Sequence, residues 1–220
     1  IREMSSSGFA MAMMLCVVDI GSVIYQRAIN DLGEILIAAH TAARKLISMF
    51  MMPLGSIATA YSTFTSQNWG AGKKERIWQT LKKVMVMEAG WGVFSCLLMF
   101  LFGGTAVQLI TGTSDPVVIE NAVLSIHFHF VCYPALGILL VLRTTMQAIG
   151  LKTVPVISSM FELGVKLISG IWLIPAFGYI CVCLTEPVIW VVCAVFLVIV
   201  FGVKKSLKYK LLHHRCEAAC

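Results

Sequence analysis

The chain has 220 residues, 59% of them hydrophobic and 13% charged, with a net charge of +6 and a mean hydropathy of +0.88. A soluble domain is about half apolar and about one-quarter charged, so this composition excludes an ordinary water-soluble module. The apolar residues fall in runs of about 20 or more, enough to cross a bilayer as helices. Lipid leaves an open strand no partners for its backbone groups. The expected fold class is all-α: a polytopic membrane protein built as a six-transmembrane-helix bundle.

In chain order, Ile1-Arg2-Glu3-Met4-Ser5-Ser6-Ser7 reads as a loop leading into the first helix. Without an initiator Met or a signal peptide, the chain is expected to be a late part of something longer. Helices are expected over residues 8–29, 35–65, 77–102, 117–148, 154–174 and 179–203, followed by a basic tail over 204–220. Helix stops separate them: Asn30-Asp31-Leu32-Gly33, Gly70-Ala71-Gly72, Gly103-Gly104, Thr113-Ser114-Asp115-Pro116, Gly150 with Pro155, and Pro175 with Gly178. Pro53, Pro134 and Pro187 are expected to break the helices that contain them, which buried membrane helices tolerate.

Charge fixes the orientation. Lys73, Lys74, Arg76, Lys82 and Lys83 follow the second segment, Lys152 the fourth, and Lys204, Lys205, Lys208, Lys210 and Arg215 the sixth. The opposite connections hold Asp31, Glu34, Asp115 and Glu120. The positive-inside rule puts both termini and the basic loops in the cytoplasm. The net charge sits on those flanks, where it attracts anionic lipid, and calls for no nucleic-acid partner.

Of the eight cysteines, Cys16, Cys96, Cys132 and Cys193 lie in apolar runs as small hydrophobes, and Cys181 with Cys183 has no second pair at zinc spacing. His213, His214, Cys216 and Cys220 lie in the tail without a rigid frame, so no metal site or disulfide framework is expected.

Charges at bilayer depth cost at least ~2.5 kcal/mol each and need a reason. Asp19, in the middle of the first run, reads either as a carboxylate that binds Na⁺, H⁺ or a cationic drug, or as a buried acid bonded to a neighbouring helix. Glu162 and Lys166 are four apart on one face, a mutually neutralised pair or a switchable one facing a cavity. Glu186, just before Pro187, is expected near the outer end of its helix and partly hydrated. Arg143, with Gln147 one turn on, is read as a fixed counter-ion for one of these acids. Arg44 and Lys45 lie within snorkelling reach of the interface. His127 and His129 are placed at the start of the fourth helix, pointing to different faces, as partly exposed structural or proton-sensing groups. Met49, Met51, Met52, Trp91, Trp172 and Trp190 suit either a promiscuous cation cavity or plain packing.

Two stretches carry a family resemblance. Ile37-Ala38-Ala39-His40-Thr41-Ala42-Ala43-Arg44-Lys45, Met51-Met52-Pro53 and Ser66-Gln67-Asn68-Trp69-Gly70-Ala71-Gly72 resemble the eighth helix of multidrug and toxic compound extrusion (MATE) transporters and the loop after it. Leu142-Arg143-Thr144-Thr145-Met146-Gln147-Ala148-Ile149-Gly150, with Pro155, Glu162-Leu163, Lys166 and Glu186-Pro187, is similar to the tenth to twelfth helices. Gln26 and Asn30-Asp31-Leu32-Gly33 match the end of the seventh.

The resemblance covers nearly the whole chain, as the C-terminal half of such a transporter. It implies one lobe of a two-lobe bundle in a bacterial cytoplasmic membrane, exporting cationic drugs against entering Na⁺ or H⁺ without a cofactor. Membrane lipid and the missing N-terminal lobe are the implied partners. It also implies a cavity whose polar lining draws on Gln26, Asn30, Gln67, Asn68 and Gln147. Sodium-coupled relatives carry an acid near Asp19 and another in the tenth helix, where this chain has Leu136; Tyr133 matches a tyrosine that assists that ion site. The missing acid puts sodium coupling there in doubt. The runner-up function is a lipid-linked sugar flippase of the same superfamily. A membrane enzyme using His127, His129 and Cys132 lacks any recognisable catalytic motif.

Overall fold

The computed structural model describes residues 2–151 and 153–217, with side chains between residues 8 and 202 apart from 10, 11, 14, 15, 17 and 152. Lys152 and Cys220 therefore lie outside the described residues, as do the side chains of the basic tail, with His213, His214 and Cys216. The elements are α1 (Arg2–Asn30), α2 (Glu34–Gly70), α3 (Lys74–Thr111), α4 (Pro116–Val131), α5 (Tyr133–Ala148), α6 (Thr153–Ile168), a π-turn (Ser169–Leu173), α7 (Ile174–Phe177) and α8 (Tyr179–Glu217). Among the described residues there is no strand.

Four helical units are long and apolar enough to cross a bilayer, and the α4–α5 pair makes a fifth, bent by 51°. The 29-residue α1 is the sixth rod of the bundle. Lipid-facing surface is plain in the side chains: Leu109 is 86% exposed and Leu101 76%, values that water would not tolerate along a continuous helix face.

The ends follow local chemistry. Asp115 caps α4 by accepting a 2.9 Å hydrogen bond from the Val117 amide, and Pro116 takes the first turn, where no amide is needed. After α2 the amides of Ala71, Gly72 and Lys73 return to the carbonyls of Gln67, Trp69 and Asn68, so the Gly-Ala-Gly stretch is a helix terminator. Each of the five reversals between rods contains one glycine at positive φ: Gly33, Gly72, Gly112, Gly150 and Gly178.

Three expectations need correction. The first helix begins at Arg2, not after a lead-in loop, and the last runs past residue 203 to Glu217. Neither flank contains a Gly or Pro to stop it, and polarity alone does not end a helix once the chain has left lipid. Of the three prolines expected to break helices, only Pro134 does so; α2 and α8 continue through Pro53 and Pro187. A proline removes one hydrogen bond, and a helix of 37 or 39 residues held on both sides can bridge the gap. Instead, a π-turn interrupts the fifth rod at Ser169–Leu173.

α2 is the central strut. Ala39, Ala42, Ala43, Leu46, Ile47, Leu54, Ala58 and Tyr61 form its buried stripe, small residues first, which lets α4 and α5 approach closely. Phe130 and Tyr133 stack at 4.3 Å between centroids beneath it. The Tyr133 hydroxyl donates to the Ile47 carbonyl, locking the α4–α5 elbow to α2. α1 packs mainly on α6 and touches the rest lightly. Gly21 sits 3.0 Å (from an ideal Cβ) below Leu163.

Candidate functional site

Arg44, Glu186 and His129, and Glu162, Lys166 and Arg143, meet in two charge clusters. In the first, the Arg44 guanidinium of α2 donates to the Glu186 carboxylate of α8, and Nε2 of His129 from α4 lies 3.5 Å from the same oxygen. His129 Nδ1 is 2.7 Å from the Ser125 carbonyl. A carbonyl only accepts, so Nδ1 must donate; Nε2 then meets Glu186 as a donor only when the ring holds a second proton. His40, one turn before Arg44, is buried with Nδ1 unpartnered.

In the second cluster, Glu162 of α6 receives Lys166 at 3.0 Å and lies 3.5 Å from Arg143 of α5. Arg143 also donates to the Ser158 hydroxyl at 3.0 Å, and Lys166 to Ser22 of α1 at 3.0 Å.

The sequence candidates distribute unevenly over this framework. Glu162, Lys166, Arg143 and Glu186 are in it. Glu186 is buried and doubly paired rather than partly hydrated, because α2 and α4 close over the start of α8. Arg44 pairs with that acid while its side chain stays 44% exposed, and Lys45 beside it is exposed without such a partner among the described residues. Asp19 is exposed on α1 with no hydrogen bond or ion pair among the described residues. Helical spacing puts it on one stripe with Ser22, Gln26 and Asn30, and Gln26 donates to Asn30 at 3.0 Å.

Tyr133 is fully buried as a structural tie, and Leu136 is buried beside it. Gln67 and Asn68 stand at the end of α2, where the Asn68 amide donates back to the Phe64 carbonyl at 2.8 Å. Both residues stand in the last turn of α2, where the helix terminates. Gln147 is half-buried near the end of α5, its carbonyl taking the Gly150 amide.

His127 and His129 occupy the last turns of α4, not its start, because the helix begins at Pro116. They do point apart: His127 stacks on Phe100 at 4.1 Å on the outer surface. There it lines a groove of about 510 Å³ with Phe128, Pro187 and Val191, apolar and turned away from the charges. Met49 and Met52 are exposed with Trp172, Trp190 is buried against His129, and the Trp91 indole donates to Phe50. Among the described residues no three His, Cys, Asp or Glu side chains gather as metal ligands.

Sequence reasoning missed three participants. Ser22 and His40 carry no signal until their partners are placed. Glu88 of α3 does carry one: an acid inside the apolar stretch Val84-Met85-Val86-Met87-Glu88-Ala89-Gly90-Trp91, hidden by its nearness to the basic loop.

Long apolar rods packed around internally paired charges define a multi-pass membrane protein. Residues 10–172 match the MatE family model. The chain belongs to that family, the MATE transporters. It is 22% identical over 143 residues to the probable multidrug resistance protein YpnP of Bacillus subtilis (strain 168), an alignment covering 65% of this chain and 32% of that protein. Its fold matches the crystal structure of a mutant of the Vibrio cholerae MATE transporter VcmN, with a TM-score of 0.75 and 16% identity. That match covers 87% of this chain and 43% of the other. The chain thus spans about a third of the relative and under half of the solved transporter.

Proposed function

We propose that this chain is the C-terminal lobe of a multidrug exporter, releasing organic cations in exchange for Na⁺ or H⁺. Residues 8–203 form the lobe, and the flanking segments 1–7 and 204–220 lie in the cytoplasm of a bacterial cell. The observation that carries the reading is Asp19: an acid at bilayer depth on the open face of α1, unpaired among the described residues and in line with Ser22, Gln26 and Asn30. An acid facing lipid would be prohibitively placed, so this face borders a polar space, and a carboxylate there suits a cation. The Glu186–His129 contact gives a proton a second place to act.

A flippase for anionic lipid-linked sugars would call for a basic cavity. Here Arg44, Arg143 and Lys166 are interspersed with the acids Asp19, Glu88, Glu162 and Glu186. The balance favours cations.

The test is ethidium efflux from vesicles holding the full-length transporter, under imposed proton or sodium gradients. Asp19→Asn keeps size and hydrogen bonding, so protein amount stays at the parent level. Gradient-driven efflux falls about tenfold or more, since a contact to a charged group contributes about 1.5–3 kcal/mol. Equal efflux by parent and variant under both gradients would remove Asp19 from the mechanism.

Orientation is tested separately. Single cysteines at positions Lys74 and Lys205, in a cysteine-free background, react with an impermeant reagent only from the cytoplasmic side. One at Asp115 reacts only from outside. The opposite pattern would reverse the direction of transport.

A further inference from the structure

Glu88 takes no part in either charge cluster. It is fully buried, and both carboxyl oxygens lack any hydrogen-bond partner. Its place is built for it: an ideal Cβ on Gly137 of α5 would lie 2.9 Å from the Glu88 Cβ, 3.0 Å from Oε2 and 3.5 Å from Leu54 of α2. Only a glycine leaves room for the carboxyl. One turn along α3, Gly92 rests on the Pro134 backbone and closes the same seam.

Among the described residues no cation is paired with the Glu88 carboxyl. On α2, Arg44 is ten residues from Leu54, about 15 Å along the helix, and is engaged with Glu186; Lys45 is nine residues away and exposed. On α5, Arg143 is held by Glu162 and Ser158. On α4, His127 stacks on Phe100, and His129 lies against Glu186. The hydroxyls of Tyr61 and Tyr133 donate to backbone carbonyls of Ile77 and Ile47. On α3 itself Lys82 and Lys83 are exposed, and Cys96 lies two turns further on.

A carboxylate sealed among apolar groups with neither donor nor counter-ion is less favourable than the neutral acid. We propose that the Glu88 carboxyl is a proton-binding site of this lobe, separate from the paired charges, and that the closed α2–α3–α5 seam is its loaded state. In loading, a carboxylate oxygen forms an O–H bond with a proton from hydronium, whose broken bond leaves its electron pair on the departing water. Unloading requires water to enter between α3 and α5, so the proton leaves only when Gly137 and Gly92 separate from their neighbours. The site stands whatever the transported substrate proves to be.

The test is the infrared difference spectrum, at neutral pH, between the full-length protein in lipid and its Glu88→Gln variant. The expected result is a protonated-carboxyl C=O stretch in the parent that is lost in the variant, with helix content unchanged. A neutral amide of the same shape should replace a protonated acid without harm. A parent spectrum lacking the band, a band of equal strength in the variant, or a variant that fails to fold would each overturn the assignment.

Discussion

Glu162→Gln lowers the stability of the protein by about 3–5 kcal/mol, the usual cost of breaking a buried ion pair by removing one partner. The reason is that Glu162 serves two cations. Lys166 lies 3.0 Å from one oxygen and Arg143 3.5 Å from the other, with side-chain exposures of 6% and 15%. Without the carboxylate, among the described residues Lys166 keeps the Ser22 hydroxyl as its hydrogen-bond partner and Arg143 the Ser158 hydroxyl. Thermal unfolding in detergent reads the loss directly. Adding Lys166→Met to the variant removes one stranded cation and restores part of the stability, because the methionine stem fills the same space. If the double variant were no more stable than the single, Lys166 would not be the group that Glu162 compensates.

The second large effect is steric and comes with its own control. In Gly92→Ala the new methyl would stand 2.8 Å from the Pro134 nitrogen and 3.0 Å from both its Cα and Cδ. Backbone and a ring cannot rotate aside, so α3 must move off the elbow, at a cost of about 1–3 kcal/mol. Gly90, two residues earlier in the same helix, has nothing within 4 Å of its ideal Cβ. There the same substitution is neutral or stabilising by about 0.5–1 kcal/mol, since alanine is the better helix former. The melting temperature therefore falls for Gly92→Ala and does not fall for Gly90→Ala. A shift of the same sign and size in both would show that the Gly92–Pro134 contact is not what holds the elbow.

The rods were legible in the sequence because lipid imposes one simple demand, a long apolar run, and Gly and Pro mark where each run stops. The Glu162–Lys166 pair was legible because both residues share a helix and the spacing alone brings them together. Arg44 and Glu186 stand 142 residues apart, and nothing local announces their meeting. In water, amphipathic periodicity would tell which side of each helix faces inward. In lipid both sides are apolar, and that phase is lost. For the same reason Glu186 read as a hydrated end group and Arg44 as a snorkelling one, although each satisfies the other. Glu88 could have been found by asking of every acid in an apolar run what neutralises it. The π-turn has no comparable signature, for Ser169-Gly170-Ile171-Trp172-Leu173 contains no residue that forbids an ordinary helix.

The reversals between rods are all short: three residues after α1 and after α2, four after α3 and after α5, and one before α8. A link of four residues spans at most about 14 Å when fully stretched, little more than the width of one helix. Consecutive rods are thus tethered end to end with almost no slack, as in a folded carpenter's rule. Such links limit how far two successive rods can part at their joined ends, while the packed faces between them stay free to open and close. A large displacement of one rod therefore carries its chain neighbours with it.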